Sequence, residues 1–306
     1  MPNQAPQENV ILGLWPLAGI TTVGVTDRDR DETLAAAIDA GIRGFDTAYS
    51  YGTNGESDRW LGRHVADRDD VWIVGKIAQR YVDGQRVIDA RPETLVRDAE
   101  TSLRRIGKTR FDELLLHSPD PNVPIERSAE AMASLIDRGL ATHTGVCNAS
   151  IDQIKTFARV VRPYSIQCGW NLLQTDNAGL IAWAADHDVR VYVFWTLMKG
   201  LLAGRIGRDH VFAPGDSRPQ YDIFRGAARR RAHRVVDALV DLARQHQTNV
   251  ASLSIGWALS TPGVTAALVG ARTRQQIEQT AAATPLAPPI KDAIDQIVAE
   301  SEHETA

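Results

Sequence analysis

One repeated alternation restricts this chain more than any other feature. Eight short runs rich in aliphatic and β-branched residues recur along it, at residues 11–17 (ILGLWPL), 43–47 (RGFDT), 71–76 (VWIVGK), 112–118 (DELLLHS), 142–147 (THTGVC), 165–170 (SIQCGW), 190–196 (RVYVFWT) and 266–271 (AALVGA). Amphipathic helical stretches fall between them, such as DETLAAAIDAG, PETLVRDAETSLRRIG and ERSAEAMASLIDRG, and Gly41, Gly107 and Gly139 stand where helix C-caps belong. Strands alternating with helices, without a break in composition, predict one (β/α)8 TIM barrel as a single domain over residues 1–306. A doubly wound open sheet is the competing topology, but no G-x-G-x-x-G follows any strand. Residues 199–226 interrupt the rhythm with a glycine-rich, charged segment of no clear period. Its place after the seventh strand sets it on the face where barrel active sites form, as a functional lid or a disordered connector.

Bulk properties narrow the function. The net charge of −4 gives no electrostatic case for nucleic acid or for an anionic membrane. No apolar run approaches the roughly 20 residues a bilayer requires. The opening MPNQAPQENV has neither the basic start nor the apolar core of a secretory signal. Cys147 and Cys168 each lie in an apolar strand, which reads as two buried thiols in a cytoplasmic setting. The run Arg229–Arg230–Arg231 falls in a helical pattern and reads as a solvated helix face.

The polar residues that could carry chemistry cluster at strand C-termini: Asp46 ends the second strand, Lys76 the third and His117 the fourth, Asn148 follows the fifth and Gln167 sits in the sixth. Each has a bland alternative: a helix cap for Asp46, a salt bridge for Lys76, a satisfied core histidine for His117. Their convergence on one barrel mouth favours a shared site. There an aspartate would keep the lysine charged, and the ammonium would draw the Tyr51 phenol down from about 10 towards a range useful for proton transfer. A histidine beside them would orient a carbonyl oxygen. The set contains no strong nucleophile and no metal-ligand spacing, so a hydride would have to come from a cofactor.

These residues make the chain similar to the aldo-keto reductases, the NAD(P)H-dependent (β/α)8 oxidoreductases. The resemblance rests on FDTAYSYG (45–52) with Glu56 and LG at 61–62, VGK ending at Lys76, LLLHSPD (114–120), GVCNAS (145–150), QCGWN (167–171) and GARTRQQIEQT (270–280), in family order over residues 10 to 285. It implies Tyr51 as general acid, Lys76 and Asp46 as its tuning pair, and His117 as the group orienting the substrate carbonyl. Tyr49 falls on a variable place of the motif and reads as packing. The resemblance also implies that Asn148 and Gln167 hold the nicotinamide carboxamide, that Phe194 stacks on the ring, and that Trp15 lines the nicotinamide and substrate pocket. Further cofactor contacts are implied at Asp46, Trp195, Leu197, Gly200, Gly270, Arg272, Arg274 and Gln276.

The chain departs from the family pattern at Cys147 for serine, at Trp170 for tyrosine, at Trp195 where a small hydroxyl residue often contacts the pyrophosphate, and at Gln279–Thr280 where Glu-Asn is common. Thr273 and Gln276 have capping-box spacing, and Arg272 and Arg274 flank that turn; two guanidiniums at a helix start favour NADPH, with NADH as the lesser cofactor. Asp216 and Arg218 look like the family's loop that folds near the cofactor. The resulting expectation is reduction of small aldehydes or ketones, or the reverse reaction on sugars and alcohols. Trp15, Trp170 and Trp195 would form an apolar or sugar-stacking pocket. A nicotinamide-binding redox-sensing subunit and a metal-dependent barrel enzyme are the alternatives from other classes.

Overall fold

The computed structural model describes residues 9–20 and 23–303; most of the opening stretch read for a secretory signal, residues 1–8, lies outside the described residues. The strands are β1 (Val10–Gly13), β2 (Gly44–Asp46), β3 (Trp72–Ile77), β4 (Gln79–Val82), β5 (Gln85–Ile88), β6 (Phe111–Leu116), β7 (Ala141–Cys147), β8 (Ser165–Gly169), β9 (Arg190–Phe194) and β10 (Ala266–Gly270). Eight of them close into a parallel barrel in the order β1-β10-β9-β8-β7-β6-β3-β2, while β4 and β5 pair with each other as a separate antiparallel hairpin. The helices are α1 (Asp27–Asp39), α2 (Glu56–Val65), α3 (Pro92–Ile106), α4 (Ile125–Asp137), α5 (Ile151–Ala158), α6 (Ala178–Asp186), α7 (Gly226–Gln245), α8 (Val250–Leu259), α9 (Arg274–Thr280) and α10 (Pro288–His303). The fold is the single-domain (β/α)8 barrel that the alternation predicts.

Alternation along each strand divides the core in two. Val10, Leu12, Phe45, Ile73, Leu114 and Val146 point outwards and pack against the helices. Ile11, Trp72, Val74, Leu115, Cys147, Tyr192 and Leu268 fill the barrel interior. A wholly buried ring such as Phe45 contributes about 2 kcal/mol by leaving water. Because Trp72 and Val74 face inwards, the period of two also turns Lys76 into the barrel, at its C-terminal rim. Strand parity therefore sets the polar groups of the site as the top layer of the barrel interior.

Helix signals behave as their chemistry requires. Thr26 and Asp29 form a reciprocal capping box at the start of α1. Pro92 opens α3 and Gly107 ends it in the left-handed conformation, φ 79°.

Four local expectations are corrected. The first strand stops at Gly13, and Trp15–Leu17 turns into a 3-10 helix, since Pro16 has no N–H to offer a ladder. Residues 79–88, which hold none of the eight predicted strands, form the β4–β5 hairpin around Asp83 (φ 50°) and Gly84 (φ 74°), a left-handed pair suited to a two-residue turn. Residues 199–226 are not irregular throughout: short 3-10 turns occupy Met198–Ala203, Arg218–Gln220 and Asp222–Phe224. The Arg229–Arg231 run is also not merely solvated, since Arg229 donates to the carbonyls of Gly207 and His210 and Arg231 pairs with Glu302 at 2.7 Å. Cys147 and Cys168 are buried free thiols. Among the described residues no helix is long and apolar enough to cross a membrane.

Candidate active site

A cavity of about 770 Å³ opens at the C-terminal ends of the barrel strands. Asp46, Tyr51, Lys76 and His117 all line it. The loop that carries Tyr51 is held by the neighbouring strand: Thr47 N–H donates to the Val74 carbonyl at 2.9 Å and Tyr49 N–H to the Lys76 carbonyl at 2.9 Å. Thr47 Oγ1 then donates to buried Asp58 at 2.7 Å, which ties the loop to α2. Burial raises the Asp58 carboxyl to about 6, against the opposing pull of Ser102 and Thr47. The two tyrosines thereby separate. Tyr49 packs under the Arg105 guanidinium, 4.7 Å from its ring centre, while Tyr51 turns into the cavity.

Lys76 and Asp46 form a direct ion pair with almost no solvent exposure, 1% and 3% at their side chains. The second Asp46 oxygen accepts from Gln167 Nε2 at 2.7 Å. Burial disfavours the Lys76 charge; the Asp46 carboxylate outweighs it, and the ammonium is held above its ordinary range. Its Nζ sits 4.8 Å from the Tyr51 ring centre. Tyr51 also meets His117 edge-on at 5.7 Å and Trp15 edge-on at 5.0 Å.

The Tyr51 phenol departs from the expected lowering. Burial raises it above its ordinary value, and the Lys76 charge offsets only part of that cost. The group is thus a firmly protonated acid at rest, beside a cation that would stabilise the phenolate once the proton leaves. His117 is driven the other way: burial first, then Lys76 and Arg86, lower it well below the usual imidazole range, so it is neutral. Its buried Nδ1 has no hydrogen-bond partner. Burial pushes the Cys147 thiol up to about 12, which leaves no nucleophilic sulfur beside the four.

The remaining expected residues divide. Trp15, Asn148, Gln167, Phe194, Trp195, Leu197, Gly200, Gly270, Arg272 and Gln276 line the cavity. Asn148 adopts a left-handed φ of 55° at the end of β7 and donates Nδ2 to the His117 carbonyl at 2.9 Å. The side-chain amides of Asn148 and Gln167 thus donate to His117 and Asp46 of the cluster itself. Arg274 is not at the cavity; it points away to Asp39, 3.6 Å distant. Trp170 is not there either, being buried against Trp257 with its indole N–H on Thr261 at 2.9 Å. The Thr273–Gln276 pair is half a capping box: Thr273 accepts from the Gln276 N–H, but the Gln276 side chain reaches the N–H of Arg272 instead.

Arg272 carries the cofactor argument. Among the described residues its half-buried guanidinium makes no ion pair; burial, Arg218 and Arg205 disfavour its charge, and Asp216 offsets them only in part. Arg218 is neutralised by Asp216 at 2.5 Å. A cation left so exposed to repulsion suits a phosphate-bearing ligand, and a dinucleotide fits that donor set.

Several cavity residues escaped the sequence reading: Gln79, Arg86 and Ile88 of the hairpin, Ser118, and Lys199 and Tyr221 of the loop after β9. The hairpin had a usable signal, an Asp-Gly pair between two alternating segments. Lys199 lies 5.0 Å from the Trp195 ring centre and 4.3 Å from that of Tyr221. Among the described residues no group of three or more His, Cys, Asp or Glu is arranged to hold a metal ion.

Comparison with known proteins agrees with this geometry. The profile of the Aldo/keto reductase family matches residues 9–299. The aldo-keto reductase YhdN of Bacillus subtilis is 32% identical over 272 residues, 87% of this chain and 82% of the relative. An L-glyceraldehyde 3-phosphate reductase of Escherichia coli is 28% identical over 287 residues, covering 88% of this chain and 81% of that protein. Among solved structures, a glycerol dehydrogenase of Gluconobacter oxydans superposes with a TM-score of 0.89 at 28% identity, over 98% of this chain and 94% of the other. The chain belongs to the aldo/keto reductase family of NAD(P)H-dependent oxidoreductases.

Proposed function

We propose that the chain reduces small aldehydes or ketones with NADPH, using Tyr51 as the proton donor. The observation that carries this reading is the buried Lys76–Asp46 pair set against a Tyr51 phenol that burial keeps protonated. Bound nicotinamide supplies the hydride to the carbonyl carbon. Tyr51 gives its proton to the carbonyl oxygen as charge develops there, and Lys76 stabilises the phenolate left behind. Neutral His117 orients the same oxygen with a ring N–H and adds no charge of its own. Asp46 keeps Lys76 cationic, and Gln167 keeps Asp46 in place. Trp15 and Phe194 bound the apolar side of the reacting centre, with Phe194 as the stacking face for the ring and the free amide oxygens of Asn148 and Gln167 as acceptors for its carboxamide. Arg272, assisted by Arg218 and Gln276, holds the 2′-phosphate that distinguishes NADPH from NADH. Leu197, Gly200 and Gly270 line the path between these two ends, and the 199–226 segment covers it.

The test is loss of NADPH absorbance across a panel of aldehydes, ketones and aldoses, for wild type and Tyr51→Phe. Tyr51→Phe is expected to lose about 10²-fold or more in kcat while still quenching tryptophan fluorescence on NADPH addition. Full turnover in Tyr51→Phe would remove the proton donor. Binding without turnover of any substrate in wild type would favour a redox-sensing subunit.

A further inference from the structure

The cavity is far more cationic than the chain. The protein has a net charge of −4, yet Lys76, Arg86, Lys199, Arg205, Arg218 and Arg272 all line the site, and among the described residues Asp46 is its one carboxylate. Most of these cations are accounted for. Lys76 is paired with Asp46 and Arg218 with Asp216; Arg205 bonds the Gln279 amide, and Lys199 lies over Trp195 and Tyr221. Arg272 belongs with Arg218 and Arg205, the group whose mutual repulsion marks the dinucleotide phosphates.

Arg86 belongs to neither set. It lies on β5, where the period of two places it beside Ile88 on the face turned to the cavity. The hairpin is anchored to the catalytic segment by Gln79, whose Nε2 donates to Ser118 Oγ at 2.6 Å, while Ser118 Oγ donates to the His117 carbonyl at 2.7 Å. Across the hairpin Arg86 stands opposite Tyr81. No carboxylate lies within ion-pair distance of Arg86 among the described residues. Its charge nevertheless reaches His117, which it helps to keep neutral, and is absent from the charges that act on Arg272. It is thus a guanidinium without a carboxylate partner among the described residues, on the hairpin that Gln79 and Ser118 tie to the segment carrying His117.

We infer that Arg86 is a specificity-determining residue that selects carbonyl substrates carrying an anionic group, a carboxylate or a phosphate, held on the β4–β5 hairpin while the carbonyl lies between Tyr51 and His117. The inference rests on the reductase reading above and adds the substrate class. Guanidinium suits both anions through paired N–H donors, and the adjacent Ile88 covers the carbon skeleton between anion and carbonyl. An anion at this position also leaves Tyr51 and Lys76 undisturbed, because the Lys76 charge is already met by Asp46.

The experiment compares matched aldehydes with the full-length protein and NADPH: succinic semialdehyde against butanal for a carboxylate, and glyceraldehyde 3-phosphate against glyceraldehyde for a phosphate. Wild type is expected to favour the anionic member by about tenfold or more in kcat/KM, chiefly through KM, as a charge-assisted contact gives. Arg86→Gln should erase most of that ratio, Arg86→Lys should keep part of it, and added salt should shrink it in wild type. Whichever pair shows the larger ratio identifies the anion. Equal kcat/KM for both members of both pairs, or a preference that survives Arg86→Gln, overturns the inference while neutral aldehydes are still reduced. Reduction of none of the four by wild type overturns the reductase reading, and this inference with it.

Discussion

Gln167 reaches Asp46 from the opposite wall of the barrel, β8 to β2, with its Nε2 2.7 Å from the carboxylate that neutralises Lys76. The pair shows what the barrel does for this chemistry. Three groups separated by 30 and 121 residues in the chain share one desolvated point. A carboxylate there is tolerable only because both oxygens are occupied, one by a cation and one by an amide donor.

Removing the carboxylate should therefore cost more than removing the amide. Asp46→Asn is expected to destabilise the protein by about 3–5 kcal/mol in urea unfolding at neutral pH, since it strands a buried ammonium. Gln167→Leu should cost about 2 kcal/mol, the loss of one hydrogen bond to a charged group. In Asp46→Asn the folded lysine falls below its unfolded value. Its penalty is then greatest at low pH and shrinks as pH rises towards about 10. A constant gap between variant and wild type across pH would contradict the uncompensated-lysine account.

Glu113, on the interior side of β6, supplies a second pH dependence, away from the mouth. It is wholly buried and accepts from Ser165 Oγ; burial raises it from 4.5 to about 7, against the opposing pull of Ser165, Tyr192 and Trp72. A carboxyl raised on folding binds its proton more tightly in the native state. Its stability is fully present below about pH 4.5 and is lost as pH rises through about 7. Glu113→Gln should remove that loss, so the variant gains on wild type by about 3 kcal/mol between about pH 4.5 and alkaline buffers. Parallel urea midpoints for the two proteins at both pH values would refute it.

Arg272→Ala should raise the KM for NADPH about tenfold or more and change the KM for NADH little, because only the former carries a 2′-phosphate. Equal effects on the two cofactors would place Arg272 elsewhere along the dinucleotide.

The 199–226 segment should become resistant to protease on adding NADPH, since Lys199, Gly200, Arg205 and Arg218 all line the cavity. Mass spectrometry of limited digests reads this directly, and unchanged cleavage within the segment would argue against closure over the cofactor.

Much of this was legible from the chain alone, for a physical reason. Period-two runs and helix punctuation are local signals, so the eight-strand barrel followed from them. Strand-end positions then brought Asp46, Lys76 and His117 to one rim, and motif spacing separated Tyr51 from Tyr49. The β4–β5 hairpin was missed because a short polar strand carries little hydrophobic pattern, although Asp83–Gly84 marked its turn.

What tertiary structure decided is every property that depends on which distant groups meet. Arg272 and Arg274 are two residues apart in one turn, yet one faces the cavity and the other pairs with Asp39. Trp170 reads as a pocket residue until Trp257 and Thr261 claim it. The Tyr51 phenol needed burial and charge weighed together, and burial won. Sequence determined the barrel and the polar residues placed at its mouth, because period and spacing are properties of neighbours along the chain. Only the closed barrel set their charges and partners, because desolvation and Coulomb energy depend on distances that the chain order does not contain.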